Sequence, residues 1–278
     1  MTTKRTTTRT RARRARVSFL THRIALAVWL TYMRVWSDKV ARALVPGSTV
    51  ALLSNPSKMP GKSFGLPARL SCPRANGSIC DNCYADNGAY KWRSTKFAQM
   101  TRFKWTIESM RTPDGRRAWV YHMICAISGE TYFRIHDSGD FFNVEYAKCW
   151  LEVIRALPGT KFWAPTRAWQ LPNGVLPVFD PLMGVLRQIA ALPNVTVRPS
   201  ALDFGDLPPV IQGLHAGSSA AMSDASQAYQ CPARAKYDNT CGPCRHCWEE
   251  KSTPVNYAAH AIGKRKLAKA LAGKRACK

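Results

Sequence analysis

The sequence predicts an α/β protein assembled from parallel strand–helix units. Three observations carry this expectation. Between residues 131 and 200, short β-prone runs alternate with amphipathic helical stretches in the order strand, helix, strand, helix, strand. The joins are short and marked by Pro158-Gly159 and Pro193. And 46% of the 278 residues are hydrophobic, enough for a core in one large domain with appendages or in two small domains.

Taken in order, residues 17–45 read as helix, an added N-terminal element. "SNPSKMPGKSFGLPARLSCP", 54–73, is dense in Pro, Gly and Ser and reads as loop. A helix is expected from about residue 86 to 111, with Phe97, Met100, Phe103, Ile107 and Met110 spaced at three- and four-residue steps as its core face. "AWVYHMICAI", 118–127, is β-like, with a helix as the alternative. "TYFRIH", 131–136, is a strand; "VEYAKCWLEVIRAL", 144–157, a helix; "KFWAPTR", 161–167, a strand; "PLMGVLRQIAAL", 181–192, a helix; "NVTVRPS", 194–200, a strand. Each crossover should be right-handed. Residues 202–230 look irregular, and "PVNYAAH", 254–260, reads as a last strand.

The net charge is +24, from 41 basic and 17 acidic residues, which favours a polyanionic partner. The ends are the most basic parts. Residues 1–16 and 264–278 each hold seven Lys/Arg and no acid. Such tails either serve as solvated solubility elements or contact nucleic-acid phosphates without reading sequence. The apolar run "IALAVWLTYM" is ten residues long, too short to span a bilayer, and Arg23 and Arg34 flank it. Secretion is therefore not expected, and the compartment should be reducing. The ten cysteines then do not read as a disulfide framework.

Two thiol sets stand out. One is Cys72-x7-Cys80-x2-Cys83, and the other is Cys231-x9-Cys241-x2-Cys244-x2-Cys247. Tight loops can aim such thiols at one metal centre, and nearby Arg234, Lys236, Arg245 and His246 can offset thiolate charge. Structural zinc generally uses two Cys pairs with a longer spacer. A close Cys-x2-Cys-x2-Cys run with a distant Cys-Pro is nearer to iron–sulfur ligation, although in ferredoxins the Cys-Pro follows the run. Iron–sulfur is the leading reading, of one or two clusters of the 4Fe–4S kind; zinc and incidental free thiols are the alternatives. How the sets pair stays open, and Cys231 could complete the first set instead. Three thiols in that set would leave one cluster site for a small molecule or for a ligand recruited from afar. Cys125 and Cys149 lie in apolar runs and read as core; Cys277, in the basic tail, reads as a free thiol.

Polar residues converge where three strands end. Alternation should put Arg134 and His136 on one face of their strand, which then runs into Asp137-Ser138-Gly139-Asp140. Thr166 and Arg167 end the next strand, and Arg198 and Ser200 the third. Ligands of parallel β/α architectures bind at the carboxyl ends of strands. Arg134, His136, Ser138, Gly139, Asp140, Thr166, Arg167, Arg198 and Ser200 are therefore the candidate pocket, weighed against structural ion pairing.

"SKMPGKSFGLPA", "CDNCYA", "RIHDSGDFF", "YAKCWLEVIRALPGTKFWAPTR", "LPNVTVRPS" and "CGPCRHCW" together resemble the bacteriophage gene product 88 family over roughly residues 49–260. The chain also looks distantly similar to the radical S-adenosylmethionine (SAM) superfamily. That resemblance implies a partial parallel (β/α) barrel of radical-SAM type, a cluster on the loop before a helix, and SAM held near "SGD" and Ser200. Its usual loop is Cys-x3-Cys-x2-Cys, whereas seven residues separate Cys72 from Cys80 here. The expected division is a basic arm and helical extension at 1–48, a partial barrel at 49–230, a Cys-rich segment and final strand at 231–263, and a basic tail at 264–278. The expected setting is the cytoplasm of the bacterial host, with no membrane span. The rival function is a zinc-stabilised nucleic-acid-binding protein without catalysis. Oligomeric state is not readable.

Overall fold

The computed structural model describes residues 52–170, 180–222, 225–259 and 262–275. The expected helix at 17–45 and Cys277 lie outside the described residues. The unit running from Ala51 onward is mixed α/β. A four-stranded parallel sheet is formed by β1 (Lys62–Phe64), β2 (Tyr132–Ile135), β3 (Lys161–Thr166) and β4 (Val195–Pro199), in that spatial order. Helices α4 (Val144–Ala156) and α5 (Pro181–Ala190) connect β2 to β3 and β3 to β4. A second parallel sheet orders β5 (Ser218–Ala220), β7 (Val255–Tyr257) and β6 (Tyr229–Gln230). One parallel bridge, Ser200 to Ser218, joins the end of β4 to the start of β5.

The first strand lies inside the stretch expected to be loop. Three residues are too few to show alternation, but Phe64 is fully buried and pairs with Ile135. Gly61 permits the approach: its φ is 69°, and a Cβ there would stand 1.9 Å from the Tyr132 carbonyl oxygen. Between β1 and β2 lie α1 (Ser78–Asp81), two 3-10 turns (Tyr84–Asp86 and Gly88–Lys91), α2 (Arg93–Met110) and α3 (Pro113–Ile127). The 118–127 run, read first as β-like, belongs to α3. Thr112 caps that helix by accepting a 3.0 Å bond from the Gly115 amide, and Pro113 occupies the first turn. Trp119, Met123 and Ile127 then fall on one buried face.

Helix α2 buries a different face from the expected one. Gln99, Arg102, Trp105, Thr106 and Ser109 are buried with Met110, whereas Phe97 is 41% exposed. Polar partners explain this face. Gln99 donates to Ser138 Oγ at 2.6 Å, Arg102 donates to Ser54 Oγ at 2.8 Å and to the Gly65 carbonyl at 3.2 Å, and Thr106 Oγ1 accepts from Trp119 Nε1 at 3.1 Å. Cys125, expected in the core, is exposed, because helical rather than strand geometry turns it away from Trp119 and Met123; Cys149 is buried as expected.

The two faces of the main sheet differ. One carries Phe64, Phe133, Ile135, Phe162, Val195 and Val197, and an aromatic layer of Trp119, Tyr146 and Trp150 packs against it. The other carries the in-register row Ser63, Arg134, Trp163, Thr196, with Pro165 opposite Arg198. The C-terminal segment covers this second face. Trp248 sits 5.1 Å from the Trp163 ring, donates through Nε1 to the Phe133 carbonyl at 3.1 Å, and accepts from Thr196 Oγ1 at 2.9 Å through its own carbonyl. Among the described residues, no helix is long and apolar enough to cross a membrane.

Candidate metal and ligand site

The β1–α2 connection carries Cys72, Cys80 and Cys83, and several anchors fix its path. Ser78 N donates to Asp203 Oδ1 at 2.6 Å, and Ile79 N to the Leu202 carbonyl at 3.1 Å. Arg74 forms an ion pair with Asp180, the residue that caps α5, and donates to the Ala168 carbonyl at 2.9 Å. Tyr84 donates to the Asp137 carbonyl and accepts from Arg134 Nη2 at 3.1 Å. The loop is thus tied to the carboxyl-end region of β2, β3 and β4.

The three thiols share one electrostatic environment. Burial pushes Cys72 up to about 12, with further upward contributions from Asp140, Cys83 and Cys80. Cys80 and Cys83 are raised mainly by burial, and the positive charge of Arg167 opposes the rise in both. Asp140 is itself raised by burial, although Thr166 Oγ1 donates to its Oδ1 at 2.6 Å, Phe141 N to the same oxygen at 2.8 Å, and Arg167 N to Oδ2 at 2.7 Å.

A cavity of about 220 Å³ opens beside this loop. Seven of the nine sequence-predicted pocket residues line it: Arg134, His136, Gly139, Asp140, Thr166, Arg167 and Ser200. Gly139, at φ 89°, lets the chain pass Ser71 and Leu66, where a Cβ would meet Ser71 Oγ at 2.6 Å. Ser138 and Arg198 are not among the lining residues. Ser138 Oγ donates to the Leu66 carbonyl at 2.6 Å while accepting from Gln99. Arg198 is fully buried and donates to the carbonyls of Ala216, Thr253 and Glu250 at 2.7, 2.9 and 2.6 Å. His136 also departs from strict alternation. Its φ is 66°, and its ring packs on Phe141, Tyr146 and Trp150, among the aromatics of the helix-covered face. There Nε2 lies 2.7 Å from Tyr146 Oη, and burial first, then Arg134, lowers its pKa to about 3.

Sequence reasoning missed Tyr84, Trp163, Phe204, Ser218, Ser219 and Tyr257 as lining residues. The aromatics carried no local signal separating cavity wall from core. The serines belong to β5, inside the segment read as irregular.

Cys231, Cys241, Cys244 and Cys247 all line one second, small cavity of about 20 Å³ with Trp248 and Val255. Pairing of β6 with β7 sets Cys231, whose amide donates to the Asn256 carbonyl at 2.9 Å. The amide of Cys241 donates to the Lys58 carbonyl at 2.8 Å. Tyr229 Oη lies 3.5 Å from Cys244 Sγ, and Tyr257 Oη lies 3.3 Å from Cys247 Sγ. Burial raises the thiols of Cys231 and Cys241 and pushes Cys247 up to about 12. The nine described cysteines are all unbridged. Among the described residues, no three His, Cys, Asp or Glu side chains are already grouped to hold one metal ion.

The family model described as Gene product 88 matches residues 36–250. The chain belongs to the Gene product 88 family. Curated relatives include the Gene 88 protein of Mycobacterium phage L5, 30% identical over 123 residues, which is 38% of this chain and 47% of that protein. The Gene 88 protein of Mycobacterium phage D29 is 28% identical over the same length and shares. The chain thus spans about half the length of the curated relatives it matches. No solved structure matches it.

Proposed function

We propose that this phage family member is an iron–sulfur protein of radical-SAM-like architecture, with Cys72, Cys80 and Cys83 as one ligand set and Cys231, Cys241, Cys244 and Cys247 as another. The observation that carries the reading is the position of the 220 Å³ cavity. Ile79, Asn82 and Tyr84, from the loop of the first set, and Tyr257, the neighbour of Cys247, all line it. Four half-buried, unbridged thiols around one small cavity suit a polynuclear centre, since partial burial disfavours uncompensated thiolates and a bound cation removes that penalty. Iron–sulfur clusters supply one-electron chemistry when bound, and in a radical-SAM-like enzyme they would reduce SAM.

In this reading the chain's own residues bind and orient. Arg134 and Arg167 supply positive charge to the cavity, and Ser200, Ser218 and Ser219 supply hydroxyl groups. The Thr166 hydroxyl and the Arg167 and Phe141 amides hold the Asp140 carboxyl in place beside the first thiol set. The parallel bridge from β4 to β5 favours treating the two sheets as one partial barrel. The basic helix α6 (Lys264–Arg275) suits non-specific contact with nucleic-acid phosphates as an accessory property.

Anaerobic purification followed by iron, sulfide and zinc analysis tests the assignment. The expected result is brown protein with roughly equal iron and sulfide and broad absorption near ~400 nm. Colourless, folded protein carrying stoichiometric zinc would instead establish the zinc-stabilised alternative.

A further inference from the structure

Tyr257 lies at the join between the C-terminal thiol set and the cavity. Its hydroxyl is 3.3 Å from Cys247 Sγ, its side chain lines the 220 Å³ cavity, and its ring lies 6.5 Å from that of Trp163, another wall residue. Strand β7 fixes this placement. Val255 and Asn256 pair with both β5 and β6, and the Tyr257 carbonyl accepts from Ala221 N at 3.0 Å, so the backbone on either side of the cavity is held. A neutral thiol leaves the direction of the Tyr257–Cys247 hydrogen bond undecided. A metal-bound thiolate has no proton, so only the phenol can then donate.

We propose that Tyr257 is a positioning residue that sets the reduction potential of the C-terminal centre and walls it off from the cavity. The inference rests on the iron–sulfur reading. A donor aimed at a ligand sulfur stabilises the more negative, reduced state more than the oxidised one, and such bonds are among the terms that set cluster potentials. Tyr229 offers a contrast. Its hydroxyl is 3.5 Å from Cys244, and it lines the small thiol cavity and an outer surface cleft with Tyr237 and Arg245, but not the 220 Å³ cavity.

The experiment compares wild type, Tyr257→Phe, Tyr257→Ala and Tyr229→Phe, each prepared anaerobically. Iron and sulfide are measured first, then redox titrations are followed by absorbance and electron paramagnetic resonance. Tyr257→Phe should retain its iron and lower the midpoint. At a fixed potential the reduced-to-oxidised ratio should fall about fivefold, equivalent to about 40 mV for one electron. Tyr229→Phe should shift it less. Tyr257→Ala should also release iron to a chelator at least about tenfold faster than Tyr257→Phe, because removing the ring opens the cavity onto Cys247. Loaded wild type and Tyr257→Phe with the same midpoint would overturn this inference and leave the iron–sulfur reading standing. Loss of iron from folded Tyr257→Phe would also overturn it, making the hydroxyl a structural support of ligation. Folded wild type without iron and sulfide would overturn the iron–sulfur reading and this inference together.

Discussion

Replacing Arg198 should unlock the C-terminal segment from the sheet. Its side chain is fully buried, and among the described residues no carboxylate forms an ion pair with it. The guanidinium instead donates to three backbone carbonyls at 2.6–2.9 Å, and to Gly217 O at 3.4 Å. Ala216 precedes β5, while Glu250 and Thr253 follow the Cys247-Trp248 turn, so one side chain fastens both flanks of the thiol set. Arg198→Met keeps length and apolar bulk but strips the guanidinium from the Ala216, Thr253 and Glu250 carbonyls, while Gly217 O keeps its bond from Val255 N at 3.1 Å. A hydrogen bond from a charged donor contributes about 1.5–3 kcal/mol, and a buried unsatisfied acceptor costs roughly 1–3 kcal/mol. Three strong bonds would sum to more than about 5 kcal/mol. Relief from burying an unpaired cation offsets part of that, so the expected net loss is about 3–5 kcal/mol. Arg198→Lys should recover only part of it, since an ammonium cannot reach carbonyls spread across a planar fork. Guanidinium denaturation of the three proteins, read by tryptophan fluorescence, gives the comparison. Under the proposed iron–sulfur reading, the segment-specific consequence is separate loss of metal from the C-terminal set while the first set keeps its own. An Arg198→Met protein within about 1 kcal/mol of wild type would refute the clamp argument.

Three further outcomes are expected. His136 should make the protein acid-sensitive. Its pKa is depressed from 6.5 to about 3, so stability present above about 6.5 is lost as pH falls toward 3; at up to about 1.4 kcal/mol per unit this reaches several kcal/mol, and a stability–pH series on His136→Gln should be flatter across that window. The metal-free thiols act in the opposite direction: Cys72 and Cys247 are raised from 9.0 to about 12, so stability present below about 9 falls as pH rises through 12, and alkaline unfolding should move upward when both are replaced by alanine. Deleting residues 1–16 and 264–278, which hold fourteen basic residues, should remove most of a salt slope of roughly −6 in duplex binding, estimated for about seven phosphate contacts; a truncated protein that keeps the full slope in fluorescence-anisotropy titrations would place the binding surface elsewhere.

The difference between Arg198 and Arg134 shows where sequence reasoning stops. Both are arginines on β-strands whose side chains share a sheet face, and both were legible as unusual because parallel strands rarely carry charge there. Arg134 lines the cavity, held by Tyr84 and lying over Trp163 at 4.5 Å; Arg198 meets carbonyls supplied by residues 18 to 55 positions away. No local pattern records which carbonyls will lack donors in the folded chain. The same limit explains α2. Its apolar stripe is regular, but the surface it meets presents Ser54, the Gly65 carbonyl and Ser138, so the polar face is the one that becomes buried. Helix α3 differs in kind, because Thr112-Pro113 stood in the sequence as a readable start signal that outweighs a β-prone run. Strand β2 and helices α4 and α5 were readable because their burial follows their own periodicity, and β3 and β4 because each is a short β-prone run between turn signals. The thiol sets were readable for a related reason: three members of the second set lie within seven residues, and a chain turn alone brings them near one another. Cys231 is the informative exception. Its place beside Cys241, Cys244 and Cys247 depends on β6 pairing with β7, two short strands whose partnership no spacing announces. A variant that breaks this pairing while sparing every thiol should therefore lose Cys231 from the set first. Asn256→Ala is such a variant, because it removes the side-chain bonds to Gln230, Ser219 and the Met222 amide. Its Cys231 should react with a thiol reagent ahead of Cys247, and equal protection of the two would show that the turn alone holds the set together.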